Sequence, residues 1–370
     1  MFENSIWIKS RNDYGDVCPI FQKSFELEKE VKSAVLNITA MGVYEAEING
    51  ERVGNFIMAP GWTAYDKRHQ YQSYDVTSML GEKNKLEVTV GKGWYRGRLV
   101  INRIQNGWGG VSSIIAELDI IFADGSRQTI CTDQSWKSAQ SKIRFSEIYD
   151  GEVYDASYNN EEWENIGIFR FRKDLLIPQE GEYVTEQETV LPQKMFITPK
   201  GEKVIDFGQN LTGYIEFDVN AHEGDKIEYS HGEVLDSDGN FYNDNLRTAK
   251  QKIEYVCKDG KQKYKPHFTF MGFRYIRIDN APEEVGMDNF KAIVVHSEMK
   301  RTGYFKCSNP KVNKLYSNII WGQKGNFLDV PTDCSQRDER LGWTGDAQVF
   351  VKTAAYNYDV KNSLKNGCMI

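Results

Sequence analysis

The segment from Asp329 to Gln348 reads DVPTDCSQRDERLGWTGDAQ and contains the densest cluster of reactive side chains in the chain. Its charged and indole-bearing members are Asp333, Arg337, Asp338, Glu339, Arg340, Trp343 and Asp346. Gly342 and Gly345 indicate irregular backbone from residue 341 to 345. The separation of Glu339 and Asp346 therefore cannot be deduced from helical spacing.

Two helices are predicted on either side of this segment. The first runs from about Pro310 to Gly325, since Ser308 and Asn309 offer an N-cap and a proline follows at an early position. Its apolar residues recur at helical spacing and are Val312, Leu315, Tyr316, Ile319 and Ile320. The second runs from Asp346 to Tyr356. Two such helices need further apolar surface to pack against.

The chain before residue 300 is predicted to be mainly β. Short alternating strands recur from about residue 21 to 158 (35–40, 43–48, 86–90 and 114–122), and Asn49-Gly50 is a strong hairpin signal. A second block, from about 180 to 296, alternates in the same way, with a turn expected at 207–213. We predict two antiparallel, jelly-roll-like β-sandwich domains, 1–170 and 171–300, followed by helices in 301–370.

Composition limits the partners. The formal net charge is −7 with both signs interspersed, which argues against nucleic acid or an anionic membrane and favours a neutral ligand. No signal peptide is visible, and no apolar stretch approaches the roughly 18 residues of a membrane span. The six cysteines are scattered without CxxC spacing, so we expect reduced thiols in a cytoplasmic protein. No HExxH-like arrangement occurs, so we expect no metal.

The residues alone leave two interpretations of the acidic segment open. A glycosidase needs one carboxylic acid to protonate the leaving oxygen and a second carboxylate to activate water or attack carbon. A salt-bridged surface loop would have a similar composition. Aromatic residues make up 13% of the chain, and they either stack on sugars or fill β cores. Five that could form a sugar-binding platform, or simply pack together, are Trp62, Tyr65, Trp94, Tyr95 and Trp108.

Residues 331–348 resemble the signature of bacterial α-L-rhamnosidases, glycoside hydrolase family 78. Further stretches resemble the family in the same order along the chain: 59–66, 75–77 and 91–97 its N-terminal β module, 206–213, 232–235, 245–247 and 268–275 its second β module, and 296–303 the entry to its catalytic barrel. The resemblance implies that 301–370 is the start of a six-hairpin (α/α)6 barrel, here incomplete.

The resemblance also implies roles. Glu339 matches the general acid, and Asp333, Arg337, Trp343 and Asp346 match residues that hold rhamnose. The implied reaction is inverting hydrolysis of terminal α-L-rhamnosides, with a rhamnose-containing glycoside or oligosaccharide as partner and no cofactor. Homo-oligomer formation is left open. Asp338 and Asp346 would raise the pKa of Glu339 while Arg337 and Arg340 oppose them, so the sequence leaves the net direction open. Asp338 and Arg340 rank as supports.

In that family the general base is a glutamate in a later part of the barrel. We therefore expect a truncated member that lacks its base, and residues 361–370 lose the aromatic, amphipathic pattern of a continuing helix. A single-nucleotide frameshift is our hypothesis for that change. Two alternatives stay open: a non-catalytic carbohydrate-binding β protein, and an inactive fragment with exposed apolar helix faces.

Sequencing the gene past the codon for residue 370 tests the frameshift hypothesis. We expect a second reading frame just downstream to encode the rest of a rhamnosidase-like barrel. If no frame there encodes one, the hypothesis fails.

Overall fold

The computed structural model describes residues 1–99, 104–159 and 162–369, which are mainly β-strand. They form two compact units. The first contains Met1–Arg98, Gln105–Glu147 and Tyr158–Glu180, and the second contains Ile148–Ser157 and the chain from Gly181 onward. The mainly β prediction is confirmed, and the division into three domains stays a prediction.

The first unit contains two sheets, with strands numbered here in chain order. Its strands are β1 (Ile8–Lys9), β2 (Pro19–Glu26), β3 (Val31–Met41), β4 (Val43–Ile48), β5 (Glu51–Arg52), β6 (His69–Asp75), β7 (Lys83–Gly91), β8 (Ser113–Phe122), β9 (Arg127–Cys131), β10 (Lys137–Gln140), β11 (Ile143–Glu147), β13 (Glu164–Asn165), β14 (Gly167–Ile168) and β15 (Leu176–Pro178). One sheet has the order β14-β1-β8-β3-β6-β15, with β9 beside β8, and the other β13-β10-β2-β7-β4-β5. Most neighbours are antiparallel, but β15 and β6 are parallel.

Alternation of buried and exposed side chains explains these strands. In β7, Leu86, Val88 and Val90 are buried while the residues between them are more exposed. Asn49 and Gly50 both have positive φ and form the two-residue turn between β4 and β5, as the hairpin signal predicted. The four strands predicted in this block are confirmed.

The aromatic residues proposed as a sugar platform instead pack on one another. Trp62 stacks on Trp94 with ring centroids 6.4 Å apart, and Tyr65 meets Tyr95 edge to face at 5.1 Å and Trp108 at 5.7 Å. Only Trp108 keeps appreciable exposure, since the other four are buried. The packing interpretation is confirmed and the platform is wrong, because four of the five rings are buried.

The second unit has one main sheet. Its strands are β12 (Gly151–Asp155), β16 (Val184–Val190), β17 (Lys194–Ile197), β18 (Lys203–Ala221), β19 (Lys226–Gly232), β20 (Val234–Leu235), β21 (Phe241–Tyr242), β22 (Lys252–Val256), β23 (Gly260–Tyr264), β24 (Met271–Asn280), β25 (Phe290–Ser297), β26 (Phe327–Leu328) and β27 (Val330–Pro331). The order is β12-β22-β19-β24-β18-β25-β16, and β17 and β23 also pair with β18. The pairings described between strands of 180–296 are antiparallel, as predicted for this block, whereas β22 also pairs in parallel with β12, which precedes it.

The turn predicted at 207–213 is wrong, since these residues continue strand β18. The pairing register with β24 shifts between Asp206 and Leu211, and Gly208 has a φ of +75°. Gly208 thus lies at an irregularity of the strand, where β18 has extra residues that do not pair with β24. Local glycine and asparagine residues also mark turns, so the sequence cannot distinguish the two. Beyond it the strand pairs with β25 and β23, so one strand serves different neighbours along its length.

Apolar and aromatic side chains from the sheet form the core of the second unit. Phe217 contacts the rings of Tyr255, Tyr229 and Phe290 at centroid distances of 5.1 to 6.3 Å. All four side chains are buried. Such edge-to-face contacts favour one arrangement of the rings over other arrangements that bury the same apolar area.

Three helices follow the sheet: α2 (Pro310–Asn326), α3 (Thr344–Asn357) and α4 (Lys361–Gly367), whereas the first unit contributes only the short α1 (Gly93–Arg96). The side chain of Asn309 caps α2 by accepting from the Lys311 N–H at 3.0 Å. Both predicted helices are confirmed. Residues 361–370 lack the aromatic pattern of a continuing helix, yet Lys361–Gly367 form the short α4, whose Leu364 packs on the small core formed with α2 and α3.

These helices leave apolar side chains on the surface. Leu315 of α2 is 58% exposed, and Val349 and Tyr356 of α3 are 77% and 69% exposed. The exposure expected for an orphaned helical pair is therefore confirmed. The (α/α)6 barrel stays a prediction. In the described part of the chain, no helix is both long and apolar enough to cross a membrane.

Replacing Arg274 by Met is expected to lower the free energy of unfolding by about 1–2 kcal/mol at pH 7. Arg274 donates twice to the buried carboxylate of Asp206, at 2.8 and 2.9 Å. Burial raises the pKa of Asp206, but Arg274 and the Gly208 N–H outweigh burial, so the pKa lies below its ordinary value.

The ionised Asp206 therefore stabilises the fold above the unfolded pKa of about 4, and this stabilisation is lost as the pH falls through the folded pKa. The deficit of the Arg274→Met variant should shrink at pH 3. Urea unfolding at both pH values, with Asp206→Asn in a double-mutant cycle, measures it. An equal deficit at both values would contradict this account.

Candidate functional site

The acidic segment lies between α2 and α3 within the second unit. The hairpin β26–β27 follows α2, and residues 332–343 have irregular backbone before α3 begins at Thr344. The prediction of irregular backbone is thus correct up to Trp343, whereas Gly345 lies in the helix. Asp346 is in the first turn of α3, where the helix dipole favours a negative charge.

Glu339 is the most heavily contacted carboxylate of the segment. Its Oε2 accepts from Arg337 at 3.1 Å and from Arg247 at 3.0 Å, and its Oε1 accepts from the Trp343 indole N–H at 2.9 Å. The side chain is 14% exposed. It is therefore held at both oxygens yet remains at the surface of the unit.

The pKa of Glu339 is set by opposing effects. Burial raises it, but the Trp343 hydrogen bond and the Arg337 and Arg247 guanidinium groups lower it, and the net pKa lies below the ordinary value. The upward effect expected from neighbouring carboxylates does not dominate. In this arrangement Glu339 is ionised at neutral pH, so proton donation requires a further change around it.

Asp333 and Arg337 form the other charged contact of the segment. Arg337 bridges Asp333 Oδ2, at 3.3 Å, and Glu339. Asp333 also accepts from the Leu341 N–H at 2.9 Å, while its own N–H donates to the Leu341 carbonyl at 3.0 Å. Asp333 therefore closes the loop as well as lining the site.

A metal ion is not needed to explain these carboxylates. Potential ligand atoms of Asp333, Cys334 and Glu339 lie within 4.8 Å of one another. Arg337 already bonds to both carboxylates. Burial raises the pKa of the Cys334 thiol to about 11, so this sulfur is a poor ligand at neutral pH.

Trp343 and Asp346 are the exposed members of the predicted set. Trp343 is 49% exposed, which leaves ring surface for a ligand while its N–H holds Glu339. Asp346 shares a cavity of about 300 Å³ with Asp333 and with apolar residues such as Phe350. The structure therefore gathers Asp333, Arg337, Glu339 and Trp343 through direct contacts, and places Asp346 on the wall of the adjoining cavity.

A second, more polar cavity adjoins Asp333 and Arg337. It measures about 380 Å³ and includes Asn210, Glu233 and Trp321 in its lining. Asn210 donates to Glu233 at 2.8 Å, and burial raises the pKa of Glu233 above its ordinary value. Amide, carboxyl and indole groups of this kind suit a hydroxyl-rich ligand. Sequence reasoning marked 206–213 and 232–235 as resembling the family but gave Asn210, Glu233 and Trp321 no role.

Arg340 fixes the segment to the β-sheet region. It is 1% exposed and donates to the carbonyls of Ile148 at 2.9 Å, Gln336 at 2.8 Å, Arg337 at 3.1 Å, and also Phe270. Its φ is +49°, an uncommon conformation for a side-chain-bearing residue. The structure thus gives Arg340 the supporting role expected of it.

Other supports lie outside the segment and were missed. Tyr149 Oη donates to the Glu339 carbonyl at 2.6 Å, and Thr248 donates from both its N–H and its hydroxyl to the buried Asp338. At Gly272 an added Cβ would lie 2.5 Å from Ser335 Oγ, so only glycine allows this approach. The resemblance of residues 245–247 to the family marked the loop without indicating a role.

Three family models match consecutive parts of the chain. The α-L-rhamnosidase N-terminal domain matches residues 29–188, the bacterial α-L-rhamnosidase concanavalin-like domain 197–296, and the bacterial α-L-rhamnosidase six-hairpin glycosidase domain 300–368.

Individual relatives agree. An α-L-rhamnosidase of Formosa agariphila is 38% identical over 356 residues, covering 92% of this chain and 38% of the relative. A crystal structure of an α-L-rhamnosidase from Aspergillus terreus is 39% identical with a TM-score of 0.94, covering 98% of this chain and 44% of that one. One from Streptomyces avermitilis, complexed with L-rhamnose, is 36% identical with a TM-score of 0.89, covering 95% and 35%. The chain thus spans well under half the length of these relatives.

Replacing Arg340 by Met is expected to lower the free energy of unfolding by about 3 kcal/mol. The change leaves the carbonyls of Ile148, Gln336 and Phe270 short of a donor. Arg337→Met is the matched control, because Arg337 is one-third exposed and its loss should cost about 1 kcal/mol or less. Urea unfolding followed by tryptophan fluorescence measures both. Similar small losses would contradict the anchoring role.

Proposed function

This chain belongs to the bacterial α-L-rhamnosidase family, and we propose that it carries the general-acid side of a site for terminal α-L-rhamnosides. The observation that carries this proposal is the contact of Glu339 with both Arg337 and Trp343, beside Asp333. The L-rhamnose complex of the Streptomyces avermitilis relative supports the choice of sugar.

In the proposed reaction Glu339 protonates the glycosidic oxygen as the bond to the sugar breaks. Asp333 and Arg337 supply charge-assisted hydrogen bonds to the hydroxyls, and the exposed face of Trp343 stacks on the ring. Asp346 contacts the sugar from the first turn of α3. Ionised Glu339 must first gain a proton, which substrate binding favours by excluding water around it.

Hydrolysis with inversion requires a general base about 6.5–9.5 Å from the acid. Asp333 does not fit this role, because its ligand atom lies within 4.8 Å of that of Glu339 and Arg337 bridges the two. We infer that the base belongs to another part of an (α/α)6 barrel, as in the family that the sequence resembles. A cytoplasmic location remains our proposal, because the cysteines are scattered without the spacing of a disulfide framework.

The alternative of a carbohydrate-binding β protein gains no support from the first unit, where four of the five platform rings are buried. The exposed apolar side chains of α2 and α3 fit the alternative of an inactive fragment. An inactive polypeptide can still belong to the rhamnosidase family. Catalytic competence and sugar binding therefore need separate tests.

The 370-residue polypeptide alone is expected not to hydrolyse p-nitrophenyl α-L-rhamnoside measurably. General-base assistance is worth about 10²–10⁴-fold, and Asp333, which Arg337 bridges to Glu339, lies too close to serve as the base. Release of p-nitrophenol is the measurement. Turnover that disappears in Glu339→Gln would overturn this prediction, whereas turnover that persists in that variant would indicate a contaminant.

L-Rhamnose is nevertheless expected to bind weakly at the segment. Titration followed by the indole N–H resonance of Trp343 should give a saturable shift, and Arg337→Met should weaken binding by about tenfold through loss of charge-assisted hydrogen bonds. Lys311→Met, a charge removal at the exposed start of α2, is the control. Equal affinity in all three proteins, or no saturable shift, would refute the proposed sugar site.

A further inference from the structure

A loop of the β-sheet region reaches the candidate acid from outside the acidic segment. Residues 244–246 form a short 3₁₀ turn, and Arg247 follows with φ +61° and ψ −106°. This conformation is sparsely populated for residues with a side chain. Surrounding contacts must therefore hold Arg247 in place.

Two consecutive residues of this loop bind two consecutive residues of the segment. Arg247 Nη1 donates to Glu339 Oε2 at 3.0 Å, and Thr248 donates to the fully buried carboxylate of Asp338. The Thr248 contact fixes the position of this loop against the segment, because separating the two would leave the buried Asp338 side chain without these hydrogen bonds. This contact therefore places the Arg247 guanidinium beside Oε2 of Glu339.

The two oxygens of Glu339 are not equivalent. Oε2 accepts from two guanidinium groups, those of Arg247 and Arg337, whereas Oε1 accepts from the neutral indole of Trp343. A proton on Oε2 would face two cationic donors and lose both hydrogen bonds. A proton on Oε1 leaves both guanidinium hydrogen bonds to Oε2 intact. It requires only that the Trp343 indole N–H give up its hydrogen bond to Oε1.

We propose that Arg247 is a positioning residue for the acid: together with Arg337 it anchors Oε2 of Glu339, so that Oε1 is the oxygen that carries and delivers the proton. The inference rests on the proposed function for the role of Glu339, but the anchoring itself is independent of the sugar. Arg247 contacts the carboxylate and not the reacting bond, so it acts through Glu339.

The charged and titratable groups around Glu339 come from several elements. They are Arg247 from the loop, Arg337, Asp333 and Cys334 from the segment, and Tyr149, whose hydroxyl bonds to the Glu339 carbonyl. Arg247 is the one cation here that the signature segment does not provide. Its side chain is 37% exposed, so its effect on Glu339 should be screened by salt.

The test is the titration of Glu339 in the full 370-residue chain, followed by carboxyl carbon NMR with Glu339→Gln to assign the resonance. Arg247→Met should raise the pKa of Glu339, and Arg247→Lys should restore most of the difference because it keeps the charge. Lys250→Met removes one exposed positive charge from the same loop and should leave the titration unchanged. In 1 M salt the difference between wild type and Arg247→Met should shrink.

Thr248→Val separates anchoring from simple loop packing. It removes the hydroxyl bond to Asp338 while leaving the charge of Arg247. It should therefore lower the free energy of unfolding and move the pKa of Glu339 less than Arg247→Met does. An unchanged Glu339 pKa in a folded Arg247→Met variant would overturn the proposal. So would an equal rise in Arg247→Lys, which would indicate loss of loop structure instead of loss of charge.

The two proposals fail separately. If Arg247→Met raises the pKa of Glu339 but L-rhamnose does not bind, the anchoring stands and the sugar site falls. If L-rhamnose binds at Trp343 and the titration of Glu339 ignores Arg247, the sugar site stands and the anchoring falls.

Discussion

The buried guanidinium of Arg340 is the interaction on which the candidate site depends. It joins the acidic segment to carbonyl groups of Ile148 and Phe270, which are far away in sequence. Burying this cation is tolerable because hydrogen-bond acceptors surround it. An irregular segment of twelve residues would otherwise have little to define its shape.

The same anchoring explains why the site is built from two kinds of structure. The β-sheet region supplies Arg340 with acceptors, offers the tight approach at Gly272, and presents Arg247 and Thr248 on one loop. The helices supply the frame on which the segment begins and ends. The residues that resemble catalytic and sugar-holding groups therefore owe part of their geometry to contacts with the β-sheet region.

The charges around Glu339 give it a lower pKa than a proposed general acid would be expected to have. A general acid is usually expected to have a raised pKa, yet cations and an indole N–H hold Glu339 in its ionised form here. The contacts that lower its pKa also fix its orientation. If Glu339 acts as the proposed acid, its carboxylate is positioned in this structure before it is protonated.

The sequence by itself determined the strands, the two longer helices and the family, because periodicity and turn chemistry are local and a long signature is specific. It also predicted which side chains carry chemistry, from Asp333 to Trp343. Only the tertiary structure decided that the aromatic rings at Trp62 and Trp94 face each other, that residues 207–213 continue a strand, and that Arg247 holds Glu339 from 92 positions away. Those outcomes depend on which distant residues meet, and on whether opposing charges or burial dominates once they do, which no local pattern encodes.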